Sequence, residues 1–355
     1  MCLISQSLKP FVAKKDLKVF KILNKDEKGN YETPYQHCKV ELNSLMQANE
    51  NSGDYSKYNL GDKGHKCQLE IEGGFIHSLF HNIKKYTNNN LCIVVAYIPE
   101  GTEYFISTRF MDVCSKQLRL TDEIVNIDDA VLSKEEMMDI LSPISETIDK
   151  EKVDAGWLVK SDKTFIHPSE YTNEVKDDII GVVGSIIDGK IIVIALDETK
   201  CEWCQKNEKV DDMPTIPYSE AYDNSKGKEY TEIIKNNEKY KKDNSYFPAF
   251  DFCLKYKTKG IKSGDWYLPS TGELHRMLNM NRDVINYAFF IMGTTLIKDD
   301  MYYWTSAESN SKTVWLCYTS SACLDGRIYK YNDVYVRPAF AIAIGKDNLV
   351  ETEIK

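Results

Sequence analysis

Long apolar runs are missing from this sequence. No stretch reaches the length a membrane-spanning helix requires, so membrane insertion is not expected. The opening residues, Met1-Cys2-Leu3-Ile4-Ser5-Gln6-Ser7-Leu8-Lys9-Pro10, have no basic segment followed by an apolar core, so they do not read as a secretory signal. Basic clusters are missing as well. The 355 residues carry a net charge of -9, and no lysine- or arginine-rich run is interleaved with aromatics. Nucleic acid is therefore not an expected partner. Histidine is scarce, at 6. His77 and His81 stand four apart but lack the glutamate of an HExxH zinc motif, and chance spacing is the plainer reading. His37-Cys38 and His65-x-Cys67 are equally thin. The ten cysteines follow no framework spacing. Reduced thiols suit a cytoplasmic or virion-associated protein, and that location is expected. No internal repeat is present.

What is present suits two domains, the soft prior for this length. A hydrophobic fraction of 42% is enough to build real cores. Residues 1–141 read as a small α+β domain of unassigned role, with an assembly partner as one expectation. Leu17–Leu23 alternates as a strand does. Asn49–Lys66 is polar and rich in Gly, Asn and Asp, as loops are. Gly73-Gly74 opens a helix start at Phe75–His81. Leu91–Ile98 is a strand of the buried type. Pro99–Thr102 is a turn, from which Glu103–Ser107 is expected to pair back as a hairpin. Ser133 and Glu136 form a capping box for a helix over Lys134–Leu141. Residues 142–178 read as linker and lead-in, beginning with the charged Ser142–Val153.

A second domain is expected over 179–345, followed by a tail at 346–355. Ile179–Ile187 and Lys190–Leu196 are apolar strands joined by Asp188-Gly189, a favoured two-residue hairpin turn. Residues 202–245, rich in Lys, Asn, Glu and Asp, read as a solvated insertion. Helices are expected at Ala249–Tyr256 and Arg282–Met292, the latter ended by Gly293. Gly264-Asp265-Trp266-Tyr267-Leu268-Pro269-Ser270-Thr271-Gly272-Glu273-Leu274 reads as a strand end running into a capped helix. Ser270 and Glu273 stand at capping-box spacing, and Leu274, Met277 and Leu278 share one helical face.

Three further motifs follow in order. They are Tyr302-Tyr303-Trp304-Thr305-Ser306-Ala307-Glu308, then Thr313-Val314-Trp315-Leu316, then Tyr335-Val336-Arg337-Pro338-Ala339-Phe340-Ala341. With the stretch at 264–274, this series resembles the C-type-lectin-like domain related to formylglycine-generating enzyme. That domain occurs in the C-terminal part of bacterial collagen-like adhesins and in variable proteins of diversity-generating retroelements. The resemblance spans about Ile179 to Ile344. It implies a C-type-lectin-like domain after the small α+β domain, an α+β class overall, and a scaffold held by Trp304, Trp315, Arg337 and Pro338. Ile98-Pro99-Glu100-Gly101-Thr102-Glu103-Tyr104 is similar to phage and gut-bacterial proteins and carries no activity.

The resemblance also implies a ligand surface between Tyr302 and Tyr335. The residues there are Tyr302, Tyr303, Glu308, Asn310, Tyr318, Ser320, Ser321, Asp325, Arg327, Tyr329, Tyr331, Asn332 and Tyr335. Tyrosine supplies rigid contact area, while Ser, Asn and Asp supply adaptable hydrogen bonds. The plainer reading is a tyrosine-rich strand edge with no ligand. The expected partner is a glycan or a cell-surface protein, with no cofactor and no catalytic residue.

Alternatives of other classes are a copper-dependent oxidase using Cys317 and Cys323, an enzyme site in the N-terminal domain, or a structural virion or assembly protein. Thiolates suit Cu(I). The spacing of the pair is one residue longer than in the oxidases, and the glycine-rich context is absent. Two small buried residues are the plainer reading. Cys201-Glu202-Trp203-Cys204 is a single CxxC, which specifies zinc poorly without a second pair. Asp197 and Glu198 end a strand without a surrounding loop of oxygen donors, so binding is expected to be independent of calcium.

Overall fold

Chain contacts divide the molecule into two units, Met1–Pro143 and Ile144–Lys355. The computed structural model describes residues 10–34, 39–47, 65–68, 90–106, 112–319 and 323–344. The fold is mixed α+β. Ser320, Ser321, His37, Cys38, His77, His81, the Phe75–His81 helix start, most of the 49–66 loop and the 346–355 tail lie outside the described residues. So do the side chains of His65 and Cys67.

The first unit is built on a ten-stranded sheet. Its strands are β1 (Phe11–Val12), β2 (Leu17–Lys25), β3 (Tyr31–Glu32), β4 (Lys39–Val40), β5 (Leu45–Gln47), β6 (His65–Gln68), β7 (Asn90–Ile98), β8 (Glu103–Ile106), β9 (Asp112–Ser115) and β10 (Gln117–Val125). Strands β2 and β7 pair antiparallel along their whole length, Leu17 opposite Ile98 and Lys25 opposite Asn90. Val19, Phe20, Ile22 and Leu23 of β2 and Ile93–Ala96 of β7 are buried. Both faces of this pair are therefore covered, rather than one face as simple alternation predicts. Helix α1 (Lys134–Leu141) has the expected capping box: Ser133 N–H donates to Glu136 at 2.7 Å, and Glu136 N–H to Ser133 Oγ at 3.1 Å. Tyr104 O–H donates to the Ile140 carbonyl at 2.9 Å and ties α1 to β8.

One expected pairing is not made. Strand β8 pairs with β1 and β9, not with β7. The turn that precedes it explains why. Gly101 takes φ +78°, its N–H donates to the Ala13 carbonyl at 2.8 Å, and Ala13 N–H donates to Thr102 at 3.0 Å. The turn is anchored on the segment after β1, so the chain leaves toward β1.

The second unit contains two five-stranded sheets. The first runs β12-β11-β13-β14-β20 and comprises β11 (Leu158–Lys160), β12 (Phe165–Ile166), β13 (Ile179–Ile187), β14 (Lys190–Ala195) and β20 (Ala339–Ala343). The second runs β15-β19-β16-β17-β18 and comprises β15 (Thr199–Cys201), β16 (Tyr302–Glu308), β17 (Thr313–Tyr318), β18 (Cys323–Tyr329) and β19 (Val334–Val336). Asp188 and Gly189 take φ 49° and 70°, the pair of positive angles that a type I′ hairpin requires. The Trp266–Leu268 segment makes one bridge, Tyr267 to Ala339, rather than a strand.

The segment read as linker and lead-in and the segment read as a solvated insertion both belong to this unit. Ile144, Ile148, Val153 and Trp157 are buried within the proposed linker, and β11 pairs with β13. The Trp157 indole N–H donates to the Asp149 carbonyl at 2.9 Å, and its ring meets His167 edge-on at 5.3 Å. The 202–245 segment carries α2 (Tyr218–Ala221), α3 (Gly227–Asn236) and α4 (Glu238–Lys242). Trp203, Cys204, Val210, Met213, Ile216, Tyr230 and Ile234 are buried there. Helix α3 explains why composition misleads. Its lysines and glutamates occupy the solvent face, while Tyr230 and Ile234, four apart, point inward.

Further on, α5 spans Pro248–Lys255, α6 spans Thr271–His275 and runs into a π turn at Arg276–Met280, and α7 spans Arg282–Met292. Gly293 closes α7 in the left-handed conformation, φ 66°. At α6, Ser270 N–H donates to Glu273 at 2.8 Å. The Ser270 hydroxyl turns to Glu273 Oε2 and to the Asn224 carbonyl. Among the described residues no helix is long and apolar enough to cross a membrane.

Candidate functional site

The sequence gathers thirteen residues between Tyr302 and Tyr335 into one surface. The structure sorts them by strand register. Tyr302 lies opposite Tyr318, and Tyr318 opposite Cys323, so the three form one row across β16, β17 and β18. The Tyr302 and Tyr318 rings stack, with centroids 4.5 Å apart and planes 21° from parallel. The Tyr318 hydroxyl donates to Asp300, which fixes the ring. Tyr329 and Tyr331 form a second stacked pair, 5.7 Å apart and 14° from parallel. Exposure is 38% for Tyr302, 46% for Tyr329 and 49% for Tyr331.

The two pairs do not share a face. Strand β17 is regular, so Thr313 and Tyr318, five apart, point to opposite sides. Tyr329 lies opposite Thr313, so it leaves the sheet on the side away from Tyr318. Between the pairs, Asp325 holds Arg327 with two side-chain bonds, at 2.9 and 2.8 Å. Arg327 beside it draws the Asp325 carboxyl below its ordinary range. Asn310 accepts from the Lys312 and Thr313 N–H groups at 2.8 and 3.1 Å, and so organises its own turn. Asn332 is half-buried, and its N–H donates to Tyr329 at 3.2 Å.

Two expected ligand contacts are core residues instead. Glu308 is buried and paired with Lys330, which is also buried, and with Lys209. The Val210 N–H donates to Glu308 Oε1 at 3.0 Å. The Lys330 ammonium also donates to the Glu208 carbonyl at 2.5 Å and lies 4.9 Å over the Trp203 ring. Burial pulls Lys330 below its ordinary pKa, against the attraction of Glu308. Tyr303 is the other buried residue. Its hydroxyl donates to Glu198 at 2.9 Å. Arg337 meets the same carboxylate at 3.3 Å, and Lys298 at 3.4 Å. Lys298 also donates to the Tyr335 hydroxyl at 3.1 Å and lies over its ring. Asp197 accepts from the Tyr256 hydroxyl at 2.9 Å. Both acids weighed as calcium ligands are thus engaged by protein groups.

The cysteine pair is not assembled as a ligand pair. Cys317 lies opposite Leu324, while Cys323 lies opposite Tyr318, so their Cβ atoms leave opposite faces. Cys317 is fully buried and takes a contact from Asn279 Nδ2 at 3.0 Å, and burial pushes its thiol up to about 12. That is the environment of an inert structural cysteine rather than a reactive thiolate. Burial likewise raises Cys201 to about 12 and Cys204 to about 11. Among the described residues no group of three or more His, Cys, Asp or Glu is placed to hold a metal.

Sequence reading missed two aromatics. Tyr218 is 63% exposed, and its ring is braced at 5.7 Å by the edge of Tyr222 and at 6.0 Å by Trp315. Tyr222 in turn meets His275 edge-on at 4.8 Å. The available signal was the spacing of four between Tyr218 and Tyr222 just after Pro217, which marks one face of a helix start.

No family model matches the chain, and no curated protein matches it. Among solved structures it is similar to a fimbrial protein from Bacteroides ovatus, with 11% sequence identity and a TM-score of 0.46. That match covers 92% of this chain and 64% of the other, so this chain spans under two thirds of the fimbrial protein's length. A likeness at that level carries no inference about fold or role.

Proposed function

We propose that this is a non-enzymatic recognition protein whose second unit is a C-type-lectin-like domain. It binds a glycan or a cell-surface protein through the outward tyrosines, in a phage-encoded or virion-associated setting. The observation that carries the reading is the two stacked tyrosine pairs, Tyr302–Tyr318 and Tyr329–Tyr331. Each pair includes exposed ring surface held in one orientation before any ligand arrives. Such surface loses little conformational freedom on binding. Asp325, Arg327, Asn310 and Asn332 add polar groups around the rings. The pairing of β14 with β20 supports the lectin-like reading, because it closes the domain while the second sheet and its loops lie between them in sequence. The burial of Trp304, Trp315 and Arg337 agrees with their assigned scaffold role.

The test is a glycan and cell-surface binding screen with the full chain, with and without EDTA. A Tyr318→Ala/Tyr329→Ala/Tyr331→Ala variant is run alongside. Saturable binding that survives EDTA and falls at least about tenfold in the variant is expected, the scale of lost aromatic anchors. Binding that the variant retains in full would place the site elsewhere.

A further inference from the structure

Two adjoining clefts, of about 610 and about 800 Å³, share Ser225, Lys226 and Glu229. Neither is lined by the outward tyrosine pairs. The smaller one has a built floor. Glu273 and Tyr267 line it, each 2% exposed, and two alanines of β20, Ala341 and Ala343, keep the wall shallow. The Glu273 carboxylate accepts the Tyr267 O–H at 3.1 Å and the Ser270 N–H at 2.8 Å. Burial pushes its pKa up to about 7 against these donors and against Lys190. Gly227 sits directly above it: a Cβ there would lie 2.4 Å from Glu273 Oε2 and 2.8 Å from the Tyr267 ring. Any larger residue at 227 would collide with the floor.

The rim carries Lys190, Lys226 and Lys228. None of the three has an ion-pair partner in the described structure, whereas Glu232 on the same rim is held by Lys235 at 3.1 Å. Three lysines thus line a hollow whose other polar groups are the Ser225 hydroxyl, the carboxyls of Glu229 and Glu232, and the buried Glu273–Tyr267 pair. Ammonium groups bind anionic groups, and carboxyl oxygens accept from hydroxyls. We propose that this cleft binds an anionic monosaccharide, a sugar bearing a carboxylate or a phosphate. The anionic group sits among the three lysines and the hydroxyls reach Glu229 and Ser225, above the Glu273–Tyr267 floor. The volume suits a ligand of one or two sugar rings. This site stands independently of the tyrosine surface.

The test is calorimetric titration of the full chain with glucuronate, glucose 6-phosphate, glucose and inorganic phosphate. Saturable binding of at least one anionic sugar is expected, weakening at least about tenfold in Lys190→Ala/Lys226→Ala/Lys228→Ala and falling as salt rises. All three lysines are surface residues, so the variant is expected to keep the wild-type melting temperature. A Tyr302→Ala/Tyr318→Ala variant is expected to bind the same sugar as wild type does. The proposal is overturned by absence of saturation with both anionic sugars up to roughly 10 mM, or by an unchanged affinity in the lysine variant. Glucose or inorganic phosphate binding as tightly as the anionic sugar would overturn it too.

Discussion

Tyr302 and Tyr303 are neighbours on one strand and have opposite fates. Tyr302 faces out and stacks on Tyr318, whereas Tyr303 is buried, its hydroxyl spent on Glu198. The same division runs through the whole second sheet. Its exposed set is aromatic, the Tyr302–Tyr318 and Tyr329–Tyr331 pairs on its two sides. Its buried set carries two ionic networks, Glu308 with Lys330 and Lys209, and Glu198 with Arg337 and Lys298. The buried groups hold the loops around β16 in place, and the exposed rings of Tyr302, Tyr329 and Tyr331 face solvent. Composition alone cannot separate the two sets, because both are rich in tyrosine and charge. Burial separates them: Tyr303 and Glu308 are covered, whereas Tyr302, Tyr329 and Tyr331 stay exposed.

Substitutions on the two sides should therefore behave differently. Glu308→Ala leaves Lys330 buried without its carboxylate, and the expected loss is about 3–5 kcal/mol in denaturant unfolding. Replacing both partners, as Glu308→Leu/Lys330→Met, is expected to recover much of that loss. The buried Glu273 adds a pH signature. Its folded pKa, about 7, lies above the ordinary 4.5. Its stabilising contribution is complete below pH 4.5 and is lost as pH rises toward 7, because the unfolded chain releases the proton first. The change is on the order of 3 kcal/mol. The difference in unfolding free energy between wild type and Glu273→Gln, followed across that window, should show it.

Gly326→Ala probes the boundary between the two sides. Its Cβ would lie 2.9 Å from Ser309 Cβ and 3.0 Å from the Trp315 ring. Overpacking of that kind costs about 1–3 kcal/mol, readable as a lower melting temperature. At the small end, Tyr329→Ala/Tyr331→Ala should change stability by less than about 0.5 kcal/mol per residue, since exposed positions carry little of the fold. A large loss of stability in that variant would erase the contrast.

Local chemistry made much of the fold legible before the structure. The Ser133–Glu136 box, the Asp188-Gly189 turn and the Gly293 helix end are each decided by two to four neighbouring residues, and each forms as read. Long-range pairing was not legible. The turn at Pro99–Thr102 is captured by Ala13, far earlier in the chain, so β8 joins β1 instead of β7. Residues 202–245 read as solvated because their charges outnumber their anchors, yet Trp203, Tyr230 and Ile234 bury the segment. At the candidate site, Tyr302, Tyr318, Tyr329 and Tyr331 were identified together with Tyr303 and Glu308, because strand faces depend on bulges that sequence does not mark. One lies on β16 between Trp304 and Glu308, and another on β18 opposite β17.

The most direct test of the account compares the two sides in one experiment. Full-length wild type, Tyr302→Ala/Tyr318→Ala, Tyr329→Ala/Tyr331→Ala and Tyr303→Phe are titrated over the same glycan and cell-surface panel, with melting temperatures measured alongside. The account predicts that at least one outward pair loses binding about tenfold or more at an unchanged melting temperature, while Tyr303→Phe melts lower and binds as wild type does when folded. Binding that is indifferent to both outward pairs, or is absent from wild type across the panel, would contradict it.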